Sequence, residues 1–188
     1  MPCAGDTDEA LMVRAGNGDR AACQLLVERH ITRLVSFAHR TLGNRSDAED
    51  AVQEVFLRVW ATAPRWKVGT ARFTTWLYSV AMNVCLDRIA KKRETCADDL
   101  PEVVDPRPEP SAAVHDAQVA NHVSAALTAL PETQRIAVTL CYYQGLRNIE
   151  AAEVMGVSVE AIESLLARGR RTLRARLRTL LPELLGED

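Results

Sequence analysis

The turn Gly156-Val157-Ser158 constrains this chain more than any other segment. It stands between a short apolar-periodic stretch, Asn148–Met155, and a long Arg-rich one that reaches Arg178. Gly156 can take the left-handed conformation that ends a helix, Ser158 can cap the next, and Val157 can staple onto Ile162. Ala151, Met155, Val157, Ile162 and Leu165 are then expected to face one another inside a helix-turn-helix corner. Beyond it, Arg168, Arg170, Arg171, Arg174, Arg176 and Arg178 follow with no acid after Glu163, so this part of the second helix suits DNA phosphates. An amphipathic helical hairpin with merely solvated arginines shares the pattern, because helix pairs joined at glycine are common.

Composition bounds the rest. With 188 residues, 47% apolar but only 5% aromatic, the chain suits one or two small helical domains with modest cores. No window approaches the roughly 18 consecutive apolar residues of a membrane helix, and no charged segment leads into an apolar one at the N-terminus, so a soluble cytoplasmic protein is expected. Cys3, Cys23, Cys85, Cys96 and Cys141 are odd in number and scattered, which reads as reduced thiols in small-residue positions. A zinc site built on Cys96 and His115 lacks the spacing metal sites prefer, and no metal or cofactor is expected.

The net charge of −2 conceals a segregation. Residues 1 to 93 hold 14 basic and 10 acidic side chains, 94 to 118 hold one and seven, and 119 to 188 hold eight and eight. The acidic strip, Glu94 to Asp116, also contains Pro101, Pro106, Pro108 and Pro110, which forbid a continuous helix and favour extended backbone. It reads as a linker between two domains, a disordered solubilising tether being the plainer alternative.

The N-terminal half reads as a helical bundle. A short helix from Asp8 to Ala15 is expected to end at Gly16-Asn17-Gly18, and a longer one from Arg20 to Leu42 at Gly43-Asn44. Ser46 and Glu49 then offer a capping box to a helix that buries Ala48, Val52, Val55, Phe56 and Val59. Asp50, Gln53, Glu54 and Leu57 fall on or near the opposite face, and a leucine among acids suggests a protein partner. After a loop with Pro64, Trp66, Lys67 and Gly69, a helix from about Ala71 to Arg93 interleaves Phe73, Trp76 and Tyr78 with Arg72, Arg88, Lys91, Lys92 and Arg93. Bases stack on rings while cations hold the backbone, so this mixture suits single-stranded nucleic acid. Some rings must nevertheless fill the core of so aromatic-poor a chain, and Trp60, Trp76 and Tyr78 are expected to be at least partly buried.

Three ordered motifs resemble one family. Residues 47 to 60 (Asp-Ala-Glu-Asp-Ala-Val-Gln-Glu-Val-Phe-Leu-Arg-Val-Trp), then 75 to 81 (Thr-Trp-Leu-Tyr-Ser-Val-Ala) with Asn83 and Asp87, and later Leu130-Pro131-Glu132 with Gln134-Arg135, are similar to the extracytoplasmic-function (ECF) sigma factors of bacterial RNA polymerase. The resemblance spans about Asp8 to Leu180. It implies an all-α chain of two small helical domains, a sigma-2 bundle over 1–94 and a sigma-4 helix-turn-helix domain over 114–188, joined by a flexible acidic Pro-rich linker over 95–113.

The resemblance also implies roles. Asp50, Gln53, Glu54 and Leu57 would dock on the clamp helices of the polymerase beta-prime subunit. Trp66, Phe73, Trp76 and Asn83 would sit where the family captures a base flipped from the minus-10 element, with Arg72, Arg88, Lys91, Lys92 and Arg93 holding phosphates. The linker would thread the RNA exit channel. Arg147, Asn148, Glu160, Ala161, Glu163, Ser164, Arg168, Arg170 and Arg171 would face the minus-35 element, alongside contacts to the beta subunit. An anti-sigma factor, commonly membrane-bound, would cover the polymerase-binding surfaces and hold the factor in reserve, as in stress responses.

The chain departs from the family pattern at Ala161, Glu163 and Leu165, so base contacts cannot be copied across. A glutamate at a base edge accepts from cytosine N4, which points to a C opposite Glu163, with Ser164 and Arg168 reading neighbours. Ala90, where the family often has Arg, weakens the phosphate grip near minus-10, and Lys91 and Lys92 can compensate. No Ser or Cys has a His and carboxylate nearby in sequence, and no Gly-rich phosphate loop is present, which argues against an enzyme or a small-molecule substrate. The main rival is an autonomous helix-turn-helix regulator, whose N-terminal half would need a ligand cavity or a long apolar dimer seam. A pure interaction module would not need the aromatic and basic residues between Trp66 and Arg93.

Overall fold

The computed structural model describes residues 6–67, 69, 72–95 and 122–185. The linker, Cys3, Cys96 and His115 lie outside them. Helix α1 (Asp8–Gly16) starts at Thr7, whose hydroxyl accepts from the Ala10 N–H at 3.3 Å. Helix α2 (Arg20–Leu42) is capped by Asp19, which accepts from Ala21 and Ala22, and stops at Gly43 in the left-handed region at φ 78°. That turn leaves Asn44 extended at the start of α3 (Arg45–Thr62), where its side-chain Oδ1 accepts from the Asp47 N–H at 3.1 Å. The expected box of Ser46 with Glu49 is therefore not formed, and Glu49 instead pairs with Arg45 at 2.8 Å.

A 3-10 turn (Ala63–Arg65) leads through the Trp66 loop to α4 (Phe73–Thr95), whose first N–H donates to Glu9 of α1 at 2.9 Å. Leu26, Leu34 and Phe37 of α2, Val52, Val55 and Val59 of α3, and Phe73, Leu77 and Val84 of α4 form the bundle core, with Leu11 and Met12 of α1 closing one end. On α4, however, Tyr78, Met82 and Cys85 are buried too, although at 100° per residue they point away from Phe73 and Leu77. A helix apolar on both sides is buried on both sides. The second unit covers that other face.

That unit comprises α5 (122–128), α6 (Glu132–Val138), a π-helical turn (Thr139–Tyr143), α7 (Asn148–Met155) and α8 (Val159–Leu185). Its core, with Leu127, Leu130, Ile136, Leu140, Ala151, Ile162 and Leu166, is continuous with that of the bundle. Helices α6 and α8 cross so closely that a Cβ at Gly169 would meet Val138 Cγ2 at 2.9 Å. Gly156 ends α7 at φ 64°, and the Ser158 hydroxyl accepts from the Ala161 N–H at 3.2 Å, as the sequence leads one to expect. The corner is closed differently, by Ala151, Ala152, Val154, Ile162 and Leu166. Val157 is exposed and Met155 and Leu165 are half-buried, because all three turn toward α4 rather than into the corner. Helix α8 also runs past Arg178, so it takes in Glu183.

Asp8 ties α1 to α2 through His30 Nε2 at 2.7 Å and Arg29 at 2.9 Å. The hydrogen bond from His30, then those from Arg29, hold the Asp8 carboxyl below its ordinary 3.8 despite its burial. A carboxylate with a lowered folded-state pKa stabilises fully above its unfolded value and loses that contribution as pH falls through the folded one. Asp8→Asn should thus lower the melting temperature at pH 7, with the difference from the parent shrinking below about pH 4.

Candidate nucleic-acid interface

The aromatic cluster at the start of α4 has one buried and two accessible members. Phe73 is fully buried, so it is a core residue and not a base-stacking one as expected. Its ring packs on His30 at 5.4 Å, and backs Trp66 at 5.9 Å and Trp76 at 6.0 Å. Trp66 and Trp76 are half-buried and meet edge to face at 5.0 Å, with the Trp66 Nε1 buried and unpartnered. Trp60 lies apart, stacked on Phe56 at 5.8 Å. Asn83, Lys91, Lys92 and Arg93 are exposed along α4.

The arginines do not form one patch. Arg88 is half-buried and donates to Glu54 of α3 at 3.3 Å, while Lys92 approaches Asp47 at 3.7 Å. Arg72 pairs with Glu150 of α7 at 3.2 Å and Arg93 with Glu132 of α6 at 2.6 Å. Glu150 accepts from the Arg147 guanidinium at 3.0 Å and from the Arg147 backbone N–H at 2.9 Å, and these bonds, the guanidinium's first, hold its carboxyl below the ordinary range. These pairings across the units were invisible to sequence periodicity. The one available signal was that α4 carries apolar residues on two sides, Phe73, Leu77 and Val84 on one and Tyr78, Met82 and Cys85 on the other.

On α3, Asp50 and Gln53 are exposed and Leu57 retains 67% of its surface, a large apolar side chain in water. Glu54 is held by Arg58 at 2.6 Å as well as by Arg88, so it presents a fixed carboxylate at the edge of that face. Beside it, Gln53, Val52 and Phe56 line a shallow groove against Ile31 and Val35 of α2. In the second unit Arg147, Glu160, Glu163, Ser164, Arg168, Arg170 and Arg171 are exposed, and Asn148 and Ala161 half-buried. Ala161, Ser164 and Arg168 line a groove whose opposite wall is Met82 and Leu86 of α4.

Burial pushes the Cys85 thiol up to about 12, which leaves it an unreactive small hydrophobe, while Cys23 and Cys141 are half-buried. Among the described residues no three His, Cys, Asp or Glu side chains are grouped to hold a metal, and no helix is long and apolar enough to cross a membrane.

Residues 26–95 match the family described as Sigma-70 region 2, and residues 121–173 match Sigma-70, region 4. The chain is 35% identical over 164 residues to the ECF RNA polymerase sigma factor SigE of Mycolicibacterium smegmatis, spanning 84% of this chain but 63% of that protein. It is 32% identical over 167 residues to the ECF RNA polymerase sigma factor SigM of Mycobacterium tuberculosis, spanning 89% of this chain and 83% of that one. A solved structure of CnrH, in complex with the cytosolic domain of CnrY, superposes with a TM-score of 0.71 at 27% identity over 93% of this chain and 99% of that one. A sigma factor RpoE from Bartonella quintana, solved with the anti-sigma factor NepR, shares the fold at a TM-score of 0.68 and 24% identity, over 82% of this chain and 96% of that one.

Proposed function

Since the chain belongs to the ECF sigma factors of bacterial RNA polymerase, we propose that it binds core polymerase, directs it to a distinct promoter class, and waits in the cytoplasm under an anti-sigma factor. The observation that carries this reading is the pairing of a region 2 bundle, bearing an exposed Leu57 beside fixed acids, with a region 4 helix-turn-helix unit. The chain acts by binding, and no catalytic step is assigned to it.

Asp50, Gln53, Glu54 and Leu57 form the proposed seat for the beta-prime clamp helices, and Glu54 arrives already oriented by Arg58 and Arg88. Trp66 and Trp76 are the rings proposed to receive an unstacked minus-10 base, with Phe73 as the rigid wall behind them. Arg72, Lys91, Lys92 and Arg93 remain the proposed phosphate contacts, whereas Arg88 is assigned to orienting Glu54. Each stacked base contributes about 1–3 kcal/mol. Trp76→Ala should therefore reduce promoter opening by roughly 5- to 150-fold, read as permanganate reactivity of minus-10 thymines. Opening must require core polymerase and this chain together; opening by polymerase alone would contradict the reading.

At minus-35, Glu163 is proposed to accept from a cytosine N4 while Ser164 and Arg168 read neighbouring bases. Arg168→Ala should relax selectivity at one base pair by about 1–3 kcal/mol across single-base promoter variants. An equal loss on every variant would reduce Arg168 to a phosphate contact. The groove between α4 and α8, apolar at Met82, Leu86, Ile136, Val157 and Leu165, is the proposed seat for a helix of the anti-sigma factor.

A further inference from the structure

Resting on the sigma-factor reading, we infer that the free chain is self-occluded: Glu150 and Glu132 of the second unit occupy the places of DNA phosphates on Arg72 and Arg93, and hold the two DNA-reading faces against each other. Ion pairs, neighbouring contacts and two clefts converge on this. Both ion pairs across the units run the same way, with the arginine on the first unit, Arg72 just before α4 and Arg93 near its end, and the glutamate in the first turn of its own helix. The glutamates are the sheltered partners, with side chains 17% and 22% exposed, whereas Arg72 and Arg93 are 74% and 72% exposed.

Two further contacts complete the closure. The Tyr78 phenol, pushed up to about 12 by burial and so fully protonated, donates to Gln144 at 2.8 Å. The Arg40 guanidinium lies 4.1 Å over the Tyr143 ring, a cation–π contact between α2 and the π-helical turn. Finally, Trp76 opens into a cleft whose other wall is Ile149, Glu150 and Glu153, while Ser164 and Arg168 on α8 face the α4 groove. A duplex must bring a major groove about 12 Å wide over the start of α8, which this arrangement obstructs.

The closure is built to be reversible. Pairs with exposed arginines contribute little and are screened by salt, so a competing phosphate backbone can take either arginine. Polymerase, binding a face of α3 that the second unit leaves open, then draws on the open population.

The test uses the full chain and the charge-neutral variant Glu132→Gln/Glu150→Gln. A glutamine oxygen at position 150 still accepts from the Arg147 N–H, and Glu132 makes no cap bond in α6, so the fold should persist, and circular dichroism checks it. Glu28→Gln/Glu49→Gln removes the same charge from exposed positions on α2 and α3, away from the second unit, and is the control. Small-angle scattering should give the parent a radius of gyration lower by several Å than that of the double variant. A fluorescent single-stranded oligonucleotide should bind the variant at least about 5-fold more tightly than either parent or control. Raising salt from about 50 to 500 mM should expand the parent toward the variant's dimensions, which tests the closure even if the variant misfolds. Equal dimensions for parent and variant at both salt concentrations, or equal gains in variant and control, would overturn the inference. Run-off transcription by the parent with core polymerase reports on the sigma-factor reading separately, since it can succeed whether or not the chain closes on itself.

Discussion

Phe73→Ala should destabilise the chain by about 3–5 kcal/mol, measured by denaturant unfolding, because it removes a fully buried ring from the junction of α1, α2 and α4. Against a total stability on the order of 5–15 kcal/mol, that loss places much of the population in the unfolded state at elevated temperature. The same change withdraws the wall behind Trp66 and Trp76, so promoter opening falls with it. Trp76→Ala, at a half-buried ring, should instead leave the unfolding free energy within about 1–2 kcal/mol of the parent while opening collapses. A Phe73→Ala protein as stable as the parent would return Phe73 to the surface and to the bases.

Leu57→Asp should abolish co-elution with core polymerase while leaving the melting temperature within a degree or two of the parent. The side chain is 67% exposed, so water already surrounds most of it and the fold loses little. In a complex a central apolar anchor of this kind contributes 2 kcal/mol or more, and a charge in its place adds desolvation without a partner. The affinity loss expected is about 30-fold or greater. Glu54→Ala is the less discriminating change, because it also releases Arg58 and Arg88 from their shared carboxylate.

What was legible in the sequence was what local chemistry determines. Gly156 and Ser158 set the α7–α8 turn by backbone conformation and a single hydroxyl, and both act as expected. The periodicity of Ala48, Val52, Val55, Phe56 and Val59 gave the buried side of α3, and by subtraction its exposed side. Where two local solutions competed, the neighbouring turn decided between them, as when Gly43 delivered Asn44 and not Ser46 to the cap of α3. The burial of Phe73 was not legible, because an aromatic ring beside an arginine has the same pattern whether it faces a core or a base. Nor was the second buried face of α4, whose Tyr78 meets Gln144 at a separation of 66 residues and follows no spacing rule. Val157 shows the same limit, since its position in the turn suits a staple, yet the nearby α4 draws it outward.

This chain is proposed to give promoter specificity to core polymerase through the Leu57 face. Run-off transcription with sigma-free core polymerase on fragmented host DNA, comparing the parent chain with Leu57→Asp, tests it most directly. Discrete start sites are expected with the parent and none with the variant. No start sites with either protein, alongside tight salt-sensitive duplex binding by the parent alone, would contradict it and identify an autonomous regulator instead.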